Sequence, residues 1–528
     1  MHTTRSPRAK PNMEWLINII GIIFTITISL LLRALPRFRS STSETPSQTL
    51  PPGPPNFPII STIIWLRRNL SELEPILRNL HRKLGPMVTL NILSRPAIYV
   101  SDHSLTHQAL VQSGALFADR PHAQTVIGQI ISRNRHSISS VSYGPIWRLL
   151  RRNLTAKILH PSRVKSYSPA RKWVLQILLD SFMSSSETGE PVRVVDIFQH
   201  AMFCLLVVLC FGLKLNQEQI REIETVQRRL LVDSGGRFNI LNLWPKVTRV
   251  LFRKRWNEFF KAVEDQEKVL ARLIRARTLS NKNRTDDGHV LAYVDTLLDL
   301  HLPEEKRKLT EEEIIGLSSE FLNAGTDTTS TALQWIMANM VKYPQVQEKL
   351  FMEIKGVVGN REGDQVKEDD LQKLPYLKAV ILEGLRRHPP GHFLLPHTVR
   401  EDTVLGGFLV PKNATINFMV AEMGWDPKVW EDPTAFKPER FLSNHRNGEA
   451  VFDITGSKEI KMMPFGVGRR ICPGLALAML HLEYFVANLV WNFEWIAMDG
   501  DGVSLEEKQE FTVVMKTPLQ VHIYPRKS

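Results

Sequence analysis

Pro464–Gly474, PFGVGRRICPG, is the stretch whose reading decides the fold. It holds Cys472, one of three cysteines in 528 residues, between arginines and glycines and just ahead of an apolar helical run. A thiolate that is to hold a metal needs a fixed approach, donors that temper its charge, and cover from solvent. Gly466, Gly468 and Gly474 let the backbone bend close to a flat ligand with no Cβ in the way. Phe465 can pack against the cysteine, Arg470 can meet an anionic edge, and the helix after Pro473 turns its N-terminal amides toward the sulfur. Most lone cysteines are small buried hydrophobes, and the Gly466-x-Gly468 pair lacks the third glycine of a dinucleotide turn. By itself the cysteine leaves both readings open.

Phe465, Gly468, Arg470, Cys472 and Gly474 together write F-x-x-G-x-R-x-C-x-G, which resembles the haem-binding loop of the cytochrome P450 family. The resemblance covers essentially everything after residue 58. It implies a mainly α-helical P450 fold, a large helical lobe beside a small β-rich lobe, with haem b held by Cys472. The activity implied is a monooxygenase: one atom of O2 enters a small apolar organic substrate and the other leaves as water, with electrons from NADPH through a partner P450 reductase. Two other readings stand beside it, a reductase-independent haem-thiolate isomerase or dehydratase and a non-catalytic membrane-bound haem sensor.

A second motif, AGTDTT at Ala324–Thr329, lies inside a long helical pattern. Thr310 and Glu313 open that pattern in capping-box spacing and Pro344 breaks it, which predicts about 50 Å of helix. Buried threonines usually return their hydroxyls to the preceding turn. The stretch nevertheless resembles the family's oxygen-activating segment, [AG]-G-x-[DE]-T-[TS]. The resemblance makes Thr328 the hydroxyl that steadies activated oxygen and its water, and Asp327 the acid that feeds protons. Ala324 and Gly325 would admit a planar group. Glu320, eight residues before Thr328 on the same face, either meets substrate or hydrogen-bonds a neighbouring helix, because an unpaired buried carboxylate is costly. Asn323 is a further substrate candidate.

Trp147 and Arg151 sit four apart on one helical face of YGPIWRLLRRNL. The resemblance assigns both to a haem propionate, since indole N–H and guanidinium both donate to carboxylates. Arg148 and Arg152 read as a solvated face suited to an acidic reductase. Glu383 and Arg386 are spaced i,i+3 and Arg440 follows in FKPERF. As a solvated pair they would be worth about 0–1 kcal/mol; in the family they form a buried triad that locks the loops around the cysteine. His397 is a core histidine or, by resemblance, a second propionate donor. Phe393, Leu394 and the turn Phe511–Val514, Val513 included, read as pocket walls. Trp425-Asp426-Pro427 stands where the family usually has R-D-P. With LRRNLTAKILHPSRVKSY and SSEFLNAGTDTTSTALQW, it makes the chain most similar to the plant A-type family 89, subfamily A.

Hydrophobic residues at 43% are enough for a large core. The net charge of +13 suits anionic membranes and acidic proteins as well as nucleic acid, but no basic tract interleaved with aromatics favours nucleic acid. Cys204 and Cys210, if helical, lie roughly 9 Å apart along the axis, too far to bridge, which suits a reducing compartment. The organisation expected is an N-terminal extension at 1–13, a transmembrane anchor at 14–34, a polar then proline-rich linker at 35–58, and a haem-thiolate catalytic domain at 59–528. Trp15–Leu32 is uncharged and just long enough to cross a bilayer. Arg5, Arg8 and Lys10 before it balance Arg33, Arg37 and Arg39 after it, unless translation begins at Met13. The resemblance places the chain in the endoplasmic reticulum membrane as a single-pass protein, its catalytic part cytosolic. Met87–Asp102 alternates β-prone residues around Ser-Arg-Pro and reads as a strand pair.

Overall fold

A computed structural model of the chain describes residues 49–55, 70–92, 95–121, 126–132, 136–242, 245–282, 290–359, 365–412, 414–442, 452–498 and 502–526. The expected anchor and most of the expected linker lie outside them. From Leu50 onward the chain forms one compact unit. Its first prolines already lie on that unit: Pro51 is buried, and the Pro52 carbonyl accepts the Thr89 N–H at 2.9 Å.

Helix α1 (Leu70–Leu84) leads into strands β1 (Met87–Ile92) and β2 (Arg95–Val100), an antiparallel hairpin that pairs Met87 with Val100. The period of two sorts its side chains. Val88, Leu90, Ala97 and Tyr99 pack on Leu73 and Leu77 of α1, whereas Met87, Ile98 and Val100 join Met463 and Val467 from the cysteine stretch. Strand β3 (Thr415–Phe418) adds to β2 in parallel. The small lobe is thus a floor beneath PFGVGRRICPG.

The helical lobe comprises α2 (Pro145–Lys157), α3 (Ser168–Thr188), α4 (Val194–Phe211), α5 (Gln217–Gly235), α6 (Pro245–Leu251), α7 (Arg253–Lys282), α8 (Glu311–Lys342), α9 (Pro344–Val358), α10 (Pro375–Arg387) and α11 (Leu475–Asn492). The capping box that opens α8 is reciprocal: Thr310 Oγ1 accepts the Glu313 N–H at 3.3 Å and the Glu313 carboxylate accepts the Thr310 N–H at 2.8 Å. Pro344 begins α9 after Tyr343 ends α8. Thr329 through Val341 are all buried, so α8 runs through the centre of the lobe. Helix α4 is apolar and long enough to cross a membrane, yet it is buried in this core, with Cys204 and Cys210 both free.

Gly325 explains part of that packing. A Cβ there would stand 2.7 Å from Leu206 Cδ1 of α4. Its missing side chain admits a neighbouring helix. The C-terminal strands β4 (Phe493–Ala497), β5 (Glu507–Gln509), β6 (Val513–Met515) and β7 (Gln520–Pro525) close the lobe, β5 with β6 as a hairpin and β7 against β4.

Candidate functional site

The cysteine stretch is a tight turn fixed by its own backbone. Gly466 N–H donates to Met463 O at 2.9 Å and Cys472 N–H to Phe465 O at 2.8 Å. Gly466 and Gly468 have φ of +68° and +69°, a region that costs other L-residues ~1–2 kcal/mol. At Gly468 a Cβ would also lie 1.9 Å from Leu110 O, so the turn seats on Gln108–Gln112 only as glycine. Burial pushes the Cys472 thiol up, while the Gly474 N–H and the nearby Arg151 charge oppose it by favouring thiolate.

Around the turn lies a cradle of cations whose guanidiniums donate, among the described residues, to neutral backbone carbonyls. Arg151 Nη2 donates to Ile471 O at 2.5 Å. Arg470 donates to Ala118 O at 2.8 Å, Ile138 O at 3.0 Å and Val141 O at 2.7 Å, and stacks 4.7 Å over Trp147. Arg120, which carries no motif signal, donates to Ser139 O at 2.9 Å, Leu395 O at 2.6 Å and Pro396 O at 2.9 Å. Burial, then the Arg470 charge, pushes Arg120 down to about 9. Burial with Arg151 brings Arg470 down to about 10, although Asp119 opposes. The Trp147 indole N–H is buried with no partner among the described residues. Crowded cations and an orphaned donor fit an anionic group bearing carboxylates. Among the described residues no three His, Cys, Asp or Glu side chains gather as metal ligands. A lone thiolate holds iron when a macrocycle supplies the other donors, and haem meets both requirements.

His397 is buried and held by one ring nitrogen. Its Nδ1 lies 2.7 Å from Phe117 O. A carbonyl only accepts, so the proton sits on Nδ1. Burial, aided by the charges of Arg120 and Arg470, holds the ring neutral down to about 3. A neutral ring with its proton there has no N–H left on Nε2 and does not donate to a carboxylate.

On α8, Ala324 is exposed and Glu320, Asn323 and Thr328 are half-buried, so Glu320, Ala324 and Thr328 form an accessible stripe on an otherwise largely buried helix. Thr328 Oγ1 donates to Ala324 O at 2.6 Å, leaving its lone pairs to accept. Asp327 is buried; Oδ1 accepts from Arg228 Nη1 of α5 at 3.3 Å, and Oδ2 has no partner among the described residues. Burial pushes its carboxyl up against the Arg228 charge. Arg228 carried no signal in the sequence. Asn323 Oδ1 is also buried and unpartnered among those residues.

Glu320 meets neither a helix nor open space. Its carboxylate accepts the Ile138 N–H at 2.9 Å and the Ser139 N–H at 2.7 Å. That same loop supplies carbonyls to Arg470 and Arg120, so it ties the cysteine turn to α8. Of the expected pocket walls, Phe393 packs edge-on against Tyr99, with ring centroids 6.2 Å apart. Leu394 lies over Gly466, and Leu395, which was not singled out, is 56% exposed. Val513 is 1% exposed, its N–H on Pro390 O and its carbonyl on the Trp335 indole; it is core, not wall. Glu383 pairs with Arg386 through two bonds of 2.6 and 2.8 Å and accepts Arg440 Nε at 3.2 Å.

Two buried rings away from the cradle set the acid response. Burial, opposed by Glu507, brings His388 down to about 4, and burial with Arg171 brings His481 down to about 3, both from 6.5. The unfolded rings take protons as pH falls through 6.5 while the folded ones stay neutral. Stability is therefore full above 6.5 and falls below it by about 1.4 kcal/mol per pH unit for each ring, until the folded values are reached. Urea midpoints measured from pH 7 to 5 should drop steeply; a flat profile overturns both assignments.

The family described as Cytochrome P450 matches residues 51–523. The chain belongs to the cytochrome P450 family and is a haem-thiolate monooxygenase. It is 53% identical over 527 residues to cytochrome P450 89A9 of Arabidopsis thaliana, across 98% of this chain and 100% of that one. That similarity puts it in family 89, subfamily A. It is 30% identical to the 5-epiaristolochene 1,3-dihydroxylase of Nicotiana tabacum, over 96% of this chain and 98% of the relative. A zebrafish cytochrome P450 solved with abiraterone shares the fold at a TM-score of 0.70 and 23% identity, covering 86% of this chain and 100% of that one.

Proposed function

We propose that Cys472 ligates haem b and that the chain oxidises a small apolar plant metabolite with electrons from NADPH delivered by a partner reductase. The observation that carries this is the loop at 138–141, which joins Arg470 of the thiol turn to Glu320 of the Thr328 helix. Haem bound by a thiolate supplies electron-rich iron at which O2 is cleaved. Trp147, Arg151, Arg470 and Arg120 would hold the propionates, and a carboxylate beside His397 would favour the imidazolium that its Nε2 needs to donate. Thr328, its own proton committed to Ala324, accepts a hydrogen bond from water. Asp327, its carboxyl pushed up by burial and tethered by Arg228, passes protons to that water. Ala324 and Asn323 face the substrate, with Leu395 as a wall.

Arg148 and Arg152 stand exposed on α2 opposite buried Trp147, and Arg469 is exposed beside the cysteine. This basic face suits an acidic reductase. Val247, Val250 and Leu251 are exposed on α6 together with Lys246 and Arg249, a composition suited to lipid, in keeping with an anchor at 14–34 in the endoplasmic reticulum.

Thr328→Ala tests the proton assignment. Product formation with reductase and NADPH should fall on the order of 10²-fold with haem content unchanged. Full activity in that variant refutes the role. Turnover that needs neither O2 nor reductase would instead indicate an isomerase or dehydratase. Candidate substrates can be screened by the spin-state change they induce in the purified protein.

A further inference from the structure

We infer that Glu320 is a positioning residue: its carboxylate fixes the Ile138 and Ser139 amides, and through that loop it holds Arg120 and Arg470 in the cradle. This rests on the reading of the cradle as the carboxylate-binding side of a haem site. The contacts run in series. Glu320 Oε2 and Oε1 take the two successive N–H groups at 2.9 and 2.7 Å. The carbonyl of Ile138 takes Arg470 Nη1 at 3.0 Å, and that of Ser139 takes Arg120 Nε at 2.9 Å. Val141 O adds a second bond to Arg470 at 2.7 Å. Each of the two residues is thus held by an anion at its N–H and a cation at its carbonyl, an arrangement in which the bonds strengthen one another.

The loop's own bonds, Val141 N–H to Ser137 O at 3.0 Å and Ser140 N–H to Ser137 Oγ at 3.2 Å, leave the Ile138 and Ser139 amides to Glu320, and residues 136–144 contain no helix or strand. Arg470 also feels Glu320 as a favourable charge, and Glu320 feels Arg470 in return. Few side chains could do this. Glutamine offers one acceptor and turns an NH2 toward an amide N–H. Aspartate is a methylene short of spanning both amides. A leucine leaves two buried donors unpaired. Glu320 lies on the accessible stripe with Ala324 and Thr328, yet both of its oxygens are committed to the loop, so its service to the reaction is geometric. A displacement of α8 at this turn is transmitted to the two guanidiniums.

The full-length protein in detergent, haem-loaded and haem-free, provides the test. In the wild type, the Ile138 and Ser139 amides should exchange with deuterium slowly although they lie outside helices and strands. Fast exchange there overturns the clamp without any variant. Glu320→Gln, and Glu320→Asp as the milder change, should release that protection and speed haem transfer to apomyoglobin about tenfold. The midpoint potential should shift negative as the guanidiniums withdraw from the carboxylates, whereas a residue that only stabilises the fold leaves the potential unmoved. Unchanged exchange and haem loss, with weaker substrate-induced spin change, would make Glu320 a substrate contact instead. A wild type that binds no haem defeats the functional reading, while exchange in that haem-free chain still decides the clamp.

Discussion

Cys472→Ala yields protein with no red-shifted carbon monoxide band in its reduced difference spectrum and no product with reductase and NADPH. The expected loss is complete, because neither of the other two cysteines is placed to replace it. Cys204 and Cys210 sit on α4 in the core. Burial pushes the Cys210 thiol far up, and Cys204 lies 3.7 Å from His200 Nε2, away from the cradle residues. Cys472 alone has the Gly474 N–H and the Arg151 charge to support a thiolate. The variant should still take up some haem, since Trp147, Arg120, Arg151 and Arg470 are untouched, and its spectrum should be that of a weakly ligated iron. A surviving red-shifted band would place the ligand elsewhere.

What was legible in the sequence was local. The cysteine turn is written in consecutive residues, and each glycine in it answers to a backbone need within a few positions: left-handed φ at Gly466 and Gly468, and an N–H for the sulfur at Gly474. The central helix announces itself by Thr310, Glu313 and Pro344, and the first hairpin by alternation around Ser-Arg-Pro. These depend on propensity and period, which a single strand of text carries.

What was hidden depends on partners brought from far along the chain. Arg120 meets Leu395 and Pro396, Arg228 meets Asp327, and Glu320 meets Ile138 and Ser139. A single arginine in a loop has no period to betray it. Gly325 is legible as a site of close approach, but that Leu206 arrives there from another helix is not. That the His397 Nδ1 proton goes to the Phe117 carbonyl is likewise set by a segment far along the chain. Phe393, Leu394 and Leu395 are all apolar, and which of them is open depends on Tyr99 and Gly466 meeting the first two.

Glu383→Ala should cost ~3–5 kcal/mol of stability and empty the haem site. Glu383 and Arg386 are wholly buried, with two bonds between them at 2.6 and 2.8 Å. Glu383 also accepts Arg440 at 3.2 Å and the Lys437 N–H at 2.7 Å. Arg386 spends its remaining donors on the carbonyls of Gly424, Pro433 and Ala435. Removing the carboxylate therefore strands two cations, one of them fully out of water. Both lie beside Trp430, at 5.3 and 5.9 Å, and its indole N–H reaches Met423 O at 3.1 Å and Lys461 O at 3.3 Å, the last just before the cysteine turn. The strain of unpaired charge is thus delivered to the segment that positions the thiol. Arg440→Ala should be milder, because that side chain reaches Glu383 through one long bond and leaves the Arg386 pair intact; it should lower haem retention more than it alters substrate preference. Haem content and urea midpoints of the two variants decide the matter: normal haem content with altered substrate choice would mean that the triad shapes the pocket and does not brace the metal site.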